Sequence, residues 1–166
     1  LRAPLGPQLG RVDAVVINEP AAEGSGSDVA ERFRARFTGP VLAATVVPTG
    51  ETDWLKERPV VAYAAIGSPG RFFALLRALG ATVVEERRFP DHHAFRPGEA
   101  RRLIELAAER SGQLVTTAKD HVRLAGGDGA LGELWRASRP LPIEMRFEAR
   151  DQGRLRALIE STLMKR

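Results

Sequence analysis

The chain has 166 residues, of which 43% are hydrophobic and 28% are charged. That length and composition are typical of one globular domain and exclude a disordered chain. No cysteine is present, which excludes disulfides and thiolate metal sites and is compatible with a reducing compartment. No apolar run reaches the roughly 20 residues that a membrane-spanning helix needs. We therefore expect a single soluble, cytoplasmic domain over residues 1–166. Because the sequence opens at Leu1 without an initiator methionine or a signal-peptide layout, we also expect it to be part of a longer chain.

The formal net charge is +4, from 25 basic and 21 acidic side chains spread along the sequence. Only the stretch from Arg136 to Arg156 is notably rich in arginine. It is compatible with a solvated basic face, or with contact to an anionic lipid surface or a phosphorylated substrate. Aromatic residues make up 6%, and no base-stacking platform or nucleic-acid-reading motif is recognisable. We expect no nucleic-acid partner.

Short apolar, β-branched runs alternate with helical patterns along the chain, which is typical of βαβ units. The predicted strands are Val12–Ile17, Val41–Val47, Val60–Ile66, Thr82–Glu85, Leu114–Thr117 and Ile143–Phe147. Several of these runs are apolar at consecutive positions, as expected for strands that are covered on both faces. The pattern predicts an α/β fold with a mainly parallel sheet.

The helical patterns lie between these strands and begin at a capping residue or a proline. They start after Ser27-Asp28, after Ser68-Pro69, at Pro97 and near Gln152. Gly80 suits the left-handed residue that ends a helix. Two stretches rich in small residues, Pro20–Asp28 and Ala125–Gly132, are predicted to be loops, and we expect the first to be mobile.

The first candidate site is Ile66–Arg71, where a predicted strand runs into a helix. A glycine turn there is compatible with anion binding by backbone N–H groups, and equally with a tight turn that has no ligand. The stretch lacks the three-glycine dinucleotide fingerprint and the lysine and Ser/Thr of a Walker A loop. Arg71 is poorly placed for the helix dipole, which favours a surface or ligand role. Without a phosphate-cradling loop, we do not expect this chain alone to be a complete nucleotide-using enzyme.

The second candidate site is Phe89–Phe95, which holds Asp91, His92 and His93 just after a predicted strand. Ligands bind at the carboxyl ends of strands in open α/β sheets. A carboxylate beside an imidazole can fix the ring tautomer and tune its basicity. The alternative is a solvated loop in which Asp91 caps a turn. Adjacent histidines point in different directions and no third ligand is evident, so we expect no metal site.

The third candidate site is Thr116–His121, again just after a predicted strand. Lys119 at a helix start could contact phosphate, with Asp120 orienting it. The alternative is a capping threonine followed by a surface Lys–Asp pair.

Taken together, ordered segments of the chain resemble the C-terminal half of the tetraacyldisaccharide 4'-kinases, the lipid A pathway kinases. The segments are Leu-Arg-Ala-Pro-Leu at 1–5, Arg-Val-Asp-Ala-Val-Val at 11–16, Ala-Ala-Ile-Gly-Ser-Pro-Gly-Arg-Phe-Phe at 64–73, Leu-Arg-Ala-Leu-Gly at 76–80, Phe-Pro-Asp-His-His-Ala-Phe at 89–95 and Thr-Thr-Ala-Lys-Asp at 116–120. The chain departs from the family pattern at Ala3 and Ala118, where the family commonly has an acidic residue, so no catalytic role is carried onto either position.

The resemblance implies a three-layer α/β/α sandwich with a mainly parallel sheet. It further implies that residues 1–166 form a single C-terminal domain of a two-domain kinase whose N-terminal P-loop domain, which handles ATP and Mg²⁺, is missing here. The family phosphorylates the 4'-hydroxyl of a lipid A precursor disaccharide at the cytoplasmic face of the bacterial inner membrane. We therefore expect a peripheral position on that face, and no ATP or Mg²⁺ bound to this chain by itself.

The resemblance also implies residue roles. His92 matches a family histidine that faces an aspartate base of the N-terminal domain, and Asp91 is its neighbour. From their positions we predict substrate-binding roles for Arg71, His93, Lys119 and Arg123. A rival hypothesis is a self-standing α/β module that binds anionic lipid or a protein partner through its arginine-rich C-terminal region.

Overall fold

The computed structural model describes residues 4–19 and 26–164. Most of the predicted loop Pro20–Asp28, residues 20–25, lies outside the described residues, and so does Ala3. The chain divides into two compact units, Leu1–Val47 with Glu144–Arg166, and Pro48–Ile143. The assignment of residues 1–166 to one domain stays a prediction.

The helices and strands alternate over most of the described residues. The helices are α1 (Leu5–Leu9), α2 (Gly26–Arg34), α3 (Pro69–Ala78), α4 (Pro97–Glu109), α5 (Ala118–Leu124), α6 (Gly129–Ala137) and α7 (Ala149–Leu163), with a 3-10 turn at Asp53–Lys56. The strands are β1 (Val15–Glu19), β2 (Val41–Pro48), β3 (Val60–Ala64), β4 (Val83–Arg88), β5 (Gln113–Thr117), β6 (Ser138–Leu141) and β7 (Ile143–Phe147). None of the described helices is long and apolar enough to cross a membrane.

Residues 48–143 form a four-stranded sheet in the order β4-β3-β5-β6, in which every neighbouring pair is parallel. The central strand β3 is buried along its whole length. Its alternate side chains point to opposite faces, so Val60 joins the core under α3 whereas Val61 joins the core under α4 and α6. Helices therefore cover both faces of the sheet, which confirms the predicted three-layer α/β/α fold.

The two ends of this unit lie side by side. The Thr49 N–H donates to the Pro142 carbonyl over 3.0 Å. At the end of α3, Gly80 has a φ of +88°, a left-handed conformation that glycine adopts without a steric cost. This agrees with the predicted helix stop.

The other unit holds a three-stranded sheet in the order β1-β2-β7, in which β1 and β2 are parallel. Helix α2 covers it through Ala30, which packs with Ile17 and Val41. At the start of α7 the buried Asp151 accepts the Ala43 N–H over 2.9 Å. This bond holds the last helix against β2.

Several elements differ from the sequence predictions, among them β6 and α6. Strand β6 was missed because it is four residues long and contains Pro140, which is unusual inside a strand. The predicted loop Ala125–Gly132 was wrong at its end, because α6 begins at Gly129. Gly132 lies inside that helix, at a position where a Cβ would overlap the Gly127 carbonyl oxygen. The glycine therefore allows close packing and does not mark a turn.

Candidate active site

Three chain segments that follow parallel strands meet at one edge of the four-stranded sheet. The Phe89 N–H donates to the Ala64 carbonyl over 3.0 Å, and the His92 N–H donates to the Ala65 carbonyl over 3.2 Å. The loop after β4 is thereby attached to the end of β3, while α5 begins directly after β5. All three sequence-predicted sites belong to this edge, where α/β sheets bind ligands.

His92 is the most exposed of the groups in this cluster, with 69% of its side-chain surface accessible. Its φ is 61°, a left-handed conformation that few residues other than glycine adopt. The Nδ1 atom lies 2.7 Å from Nη2 of Arg123, and the Nε2 atom lies 3.8 Å from Oδ2 of Asp91. The imidazole is thus hydrogen-bonded to Arg123 at Nδ1, while the Asp91 carboxylate lies beside Nε2 but beyond hydrogen-bond distance.

Asp91 lies between two cationic or ionisable groups. Its Oδ1 is 3.8 Å from Nζ of Lys119, and its Oδ2 faces His92. Asp91 and Lys119 are both about half exposed. At these distances in solvent the attraction is weak, so Lys119 remains available to an incoming anion.

Asp120 is the buried centre of the site, with none of its surface exposed. Its Oδ2 accepts the Ala65 N–H over 3.0 Å and the Thr117 hydroxyl over 2.7 Å, and its Oδ1 accepts Nη1 of Arg123 over 3.2 Å. Thr117 in turn caps α5 by accepting the Asp120 N–H over 3.1 Å. The predicted threonine cap is present at Thr117, but the predicted surface pair of Lys119 and Asp120 is wrong, because Asp120 is buried and contacts Arg123.

His93 lies in a different environment from its neighbour. Its Nε2 is 2.9 Å from Oε2 of Glu99 and its side chain is 18% exposed. The ring stacks on Phe89 at 5.2 Å and meets Phe95 edge-on at 5.7 Å. This geometry favours a structural role for His93 over the predicted contact with substrate, which stays untested.

Glu99 connects His93 to the start of α4. Besides His93, Oε2 accepts the Arg96 N–H over 2.8 Å, which completes a capping box. Partial burial by itself raises the pKa of Glu99, but the hydrogen bonds from His93 and Arg96 outweigh it and hold that pKa below its ordinary value. The carboxylate is therefore stabilised in its charged form.

Arg71 is exposed in the first turn of α3 and makes no ion pair or side-chain hydrogen bond with any residue that the structure describes. Its backbone N–H donates to the Ser68 carbonyl over 3.2 Å. The glycine turn before it approaches the second motif, since a Cβ on Gly67 would lie 3.5 Å from Oδ2 of Asp91. The choice between an anion site and a tight turn therefore stays open.

A cleft of about 290 Å³ opens beside His92. Arg123 and His92 form its polar part, whereas Phe95, Leu124 and Leu131 form its apolar part. A larger cavity of about 420 Å³, lined by residues such as Leu9 and Phe37, lies in the other unit and contains no histidine. The candidate site residues His92 and Arg123 therefore line the smaller of the two cavities.

Within residues 4–19 and 26–164, no group of three histidine or carboxylate side chains is arranged to hold a metal ion. The arginine-rich stretch is also locally neutralised. Ion pairs join Arg146 to Glu144 at 3.0 Å, Arg150 to Glu148 at 3.2 Å, Arg154 to Asp151 at 3.5 Å and Arg156 to Glu160 at 2.8 Å. Four paired arginines do not form an unopposed basic face, so the rival lipid-binding hypothesis gains no support.

The comparisons with known proteins agree with one another. The family model described as tetraacyldisaccharide-1-P 4'-kinase, LpxK, matches residues 1–164. A tetraacyldisaccharide 4'-kinase of Rhizobium meliloti is 44% identical over 89% of this chain and 42% of its own length. One from Nitrobacter winogradskyi is 41% identical over 99% of this chain and 48% of its own length. The crystal structure of LpxK from Aquifex aeolicus in complex with ATP matches with a TM-score of 0.57 and 26% identity, over 97% of this chain and 45% of that one. The chain thus spans less than half the length of these relatives.

Proposed function

Since the chain belongs to the tetraacyldisaccharide-1-P 4'-kinase family, as its sequence motifs had indicated, we propose that it is the acceptor-side, C-terminal domain of such a kinase. The complete enzyme would transfer the γ-phosphate of ATP to the 4'-hydroxyl of a tetraacyldisaccharide 1-phosphate in lipid A biosynthesis. The observation that carries this proposal is the exposed His92, fixed by Arg123 at the ligand-binding edge of the sheet, in a chain matched to the family over residues 1–164.

The residues of this chain do not fit a site for ATP and Mg²⁺. The sequence contains no Walker A loop, and no three carboxylate or histidine groups of the described residues converge on one point. We therefore assign ATP and Mg²⁺ to an N-terminal P-loop domain, which this chain needs as its partner. The 166-residue chain by itself should neither phosphorylate the disaccharide nor bind ATP tightly.

Phosphoryl transfer depends mainly on positioning and on charge stabilisation. In the proposed enzyme, the exposed His92 ring faces a carboxylate base of the N-terminal domain and orients it only when the two domains close, which also excludes water. Asp91 lies beside that ring. Lys119 and Arg71, both exposed and cationic, are suited to hold the anionic part of the acceptor.

The substrate class also suggests where the enzyme works. The acceptor carries four acyl chains, so we propose that the complete kinase acts as a peripheral protein on the cytoplasmic face of the bacterial inner membrane. The partners are then the lipid A precursor disaccharide and that membrane surface. No nucleic acid is involved.

The first test is the substitution His92→Ala in the full-length kinase that carries this domain. We expect the turnover number for phosphorylation of the disaccharide to fall by about 10²–10⁴-fold, the range for loss of a positioned proton-handling group. Phosphate transfer from radiolabelled ATP to the purified acceptor is the measurement.

His121→Ala is the matched control. The Nε2 atom of His121 lies 3.1 Å from the carbonyl oxygen of Trp135, a residue of α6, and the two rings lie 5.5 Å apart. This variant should keep most of the activity. Near wild-type turnover of the His92→Ala enzyme would remove His92 from the mechanism.

A further inference from the structure

We propose that Arg123 and Asp120 are positioning residues that set the tautomer and the orientation of His92. This inference rests on the proposed function for the catalytic role of His92. The contacts of Arg123 and Asp120 are observed in the structure and do not depend on that role. It replaces the predicted substrate-binding role of Arg123. The relevant side chains all lie within residues 48–143.

The contact with Arg123 determines which nitrogen of the His92 ring carries the proton. A guanidinium group has donors and no acceptor, so the 2.7 Å contact requires Nη2 of Arg123 to donate and Nδ1 of His92 to accept. A neutral ring that accepts at Nδ1 carries its proton on Nε2. Arg123 thus leaves Nε2–H as a donor, which the Asp91 carboxylate approaches only to 3.8 Å and from which a carboxylate base could accept a hydrogen bond.

Arg123 is itself held by Asp120 and by the backbone of Ala65. Its Nη1 donates to Oδ1 of Asp120 and to the Ala65 carbonyl, both over 3.2 Å. Asp120 is itself fixed by the Ala65 N–H and the Thr117 hydroxyl. The planar fork of the guanidinium matches several acceptors at once, so its position is determined from both sides.

The backbone carbonyl of Ala65 connects Arg123 to the loop that carries His92. The Ala65 carbonyl accepts from Nη1 of Arg123 and also from the His92 N–H over 3.2 Å. The same residue therefore anchors both the ring-bearing loop and the arginine. His92 holds its left-handed φ of 61° in the loop that this contact secures.

These contacts distinguish Arg123 from the other cations at the site. Both terminal nitrogens of Arg123 are engaged, and only 25% of its side-chain surface is exposed. Lys119 has 48% of its side chain exposed, and its Nζ lies 3.8 Å from the half-exposed carboxylate of Asp91. Substrate binding is therefore better assigned to Lys119, and positioning to Arg123.

The first experiment measures the ring directly, in the 166-residue chain labelled with ¹⁵N at histidine. At about pH 8.5, roughly two units above the ordinary histidine value, proton–nitrogen correlation spectra report which ring nitrogen carries the proton. We expect His92 to show a proton on Nε2 and an unprotonated, hydrogen-bonded Nδ1. The Arg123→Ala chain should shift the Nδ1 resonance of His92, while the resonances of His121 stay in place.

Arg123→Lys serves as the conservative variant, because a single ammonium can reach fewer acceptors than the fork. It should restore part of the Nδ1 shift. Asp120→Asn tests the supporting carboxylate and should broaden or shift the same resonance, provided that circular dichroism shows the chain folded. A proton on Nδ1 in the wild-type chain, or an unchanged His92 spectrum in Arg123→Ala, would overturn the proposal.

The second experiment separates positioning from binding in the full-length kinase. Arg123→Ala should lower kcat by roughly 10²-fold or less, as a small misplacement of a reacting group does, with the KM for the disaccharide nearly unchanged. Lys119→Ala should instead raise that KM. A raised KM and an unchanged kcat in Arg123→Ala would return Arg123 to substrate binding and overturn its positioning role.

The two proposals fail in different ways. If His92→Ala keeps its activity while Arg123→Ala moves the His92 resonances, the proposed role of His92 is lost and the positioning contact survives. If His92→Ala is inactive and the resonances do not respond to Arg123, only the positioning inference is lost.

Discussion

His92 and His93 are neighbours in the sequence, yet the structure gives them opposite environments. The ring of His92 lies at the surface, whereas the ring of His93 is bonded to Glu99 and packed between Phe89 and Phe95. Consecutive side chains in an irregular segment point in different directions, so this division between one exposed and one packed ring follows from the loop conformation. Activity and stability should accordingly respond to different members of the pair.

His93→Ala in the whole chain should lower the free energy of unfolding by about 1–3 kcal/mol, because a charge-assisted hydrogen bond and an aromatic contact are both lost. His92→Ala should change it by about 0.5 kcal/mol or less, as for most surface positions. Urea unfolding followed by circular dichroism measures both. Equal losses in the two variants would contradict the division of roles.

The sequence predicted much of the site at this scale and missed one connection. The motif Phe-Pro-Asp-His-His after a strand predicted that Asp91 and His92 lie at the sheet edge, where the structure places them, and their roles in a site stay predictions. The bond between Arg123 and His92 joins residues 31 positions apart and depends on the left-handed backbone at His92, which no local pattern encodes. The spacing of Thr117, Asp120 and Arg123 by three residues was the available signal, since such residues face one side of a helix.

At the scale of whole elements, a buried tyrosine connects strands β3 and β6 across β5. The hydroxyl of Tyr63 lies 2.7 Å from the hydroxyl of Ser138, and Thr116 of β5 donates its hydroxyl to the Tyr63 carbonyl over 2.9 Å. Burial, assisted by the charge of Asp120, raises the pKa of Tyr63 to about 12 against the hydrogen bonds from Ser138 and Thr116. The sheet therefore contains a group that resists ionisation while folded.

This raised pKa predicts a loss of stability in alkali. Below about pH 10 the tyrosine is neutral in both states, so it adds no pH dependence. Between about pH 10 and pH 12 the tyrosine ionises only in the unfolded chain. The free energy of unfolding should therefore fall by up to about 2.7 kcal/mol over this range. Tyr63→Phe should lack that loss, although it should cost about 1 kcal/mol at neutral pH through the lost hydrogen bond.

Unfolding free energies of the wild type and Tyr63→Phe, measured in urea at about pH 8 and about pH 11, provide the check. The difference in unfolding free energy between the two proteins should change by about 1.4 kcal/mol in favour of Tyr63→Phe between the two pH values, so that the variant becomes slightly the more stable at about pH 11. A constant difference would show that Tyr63 ionises equally in the folded and unfolded chains.

The strands of the central sheet could be predicted because a strand buried on both faces has an unbroken apolar run. Strand β3 and helix α3, with Pro69 at its start and Gly80 after its end, follow that logic. Strand β6 could not be predicted, since its Pro140 contradicts strand propensity and only pairing with β5 makes it a strand. Tertiary contacts override local preference at such edges.

At the scale of the whole molecule, residues 48–143 contain a continuous parallel sheet, two buried clusters and every residue of the candidate site. We expect a polypeptide of residues 48–143 to fold alone, since its core and its hydrogen-bonded strands lie within one stretch of chain. A cooperative thermal transition and dispersed amide resonances are the measurements. Phe73→Ala in this polypeptide should lower its stability by about 3–5 kcal/mol, whereas a non-cooperative transition in the parent would contradict independent folding.

The bond between Thr49 and Pro142 has a consequence for how such proteins arise. When the two ends of an inserted stretch of chain lie next to each other, the stretch can be inserted, removed or exchanged without changing the fold of the rest of the chain. Because the residues proposed to bind the acceptor all lie within residues 48–143, replacing that one stretch would change them together.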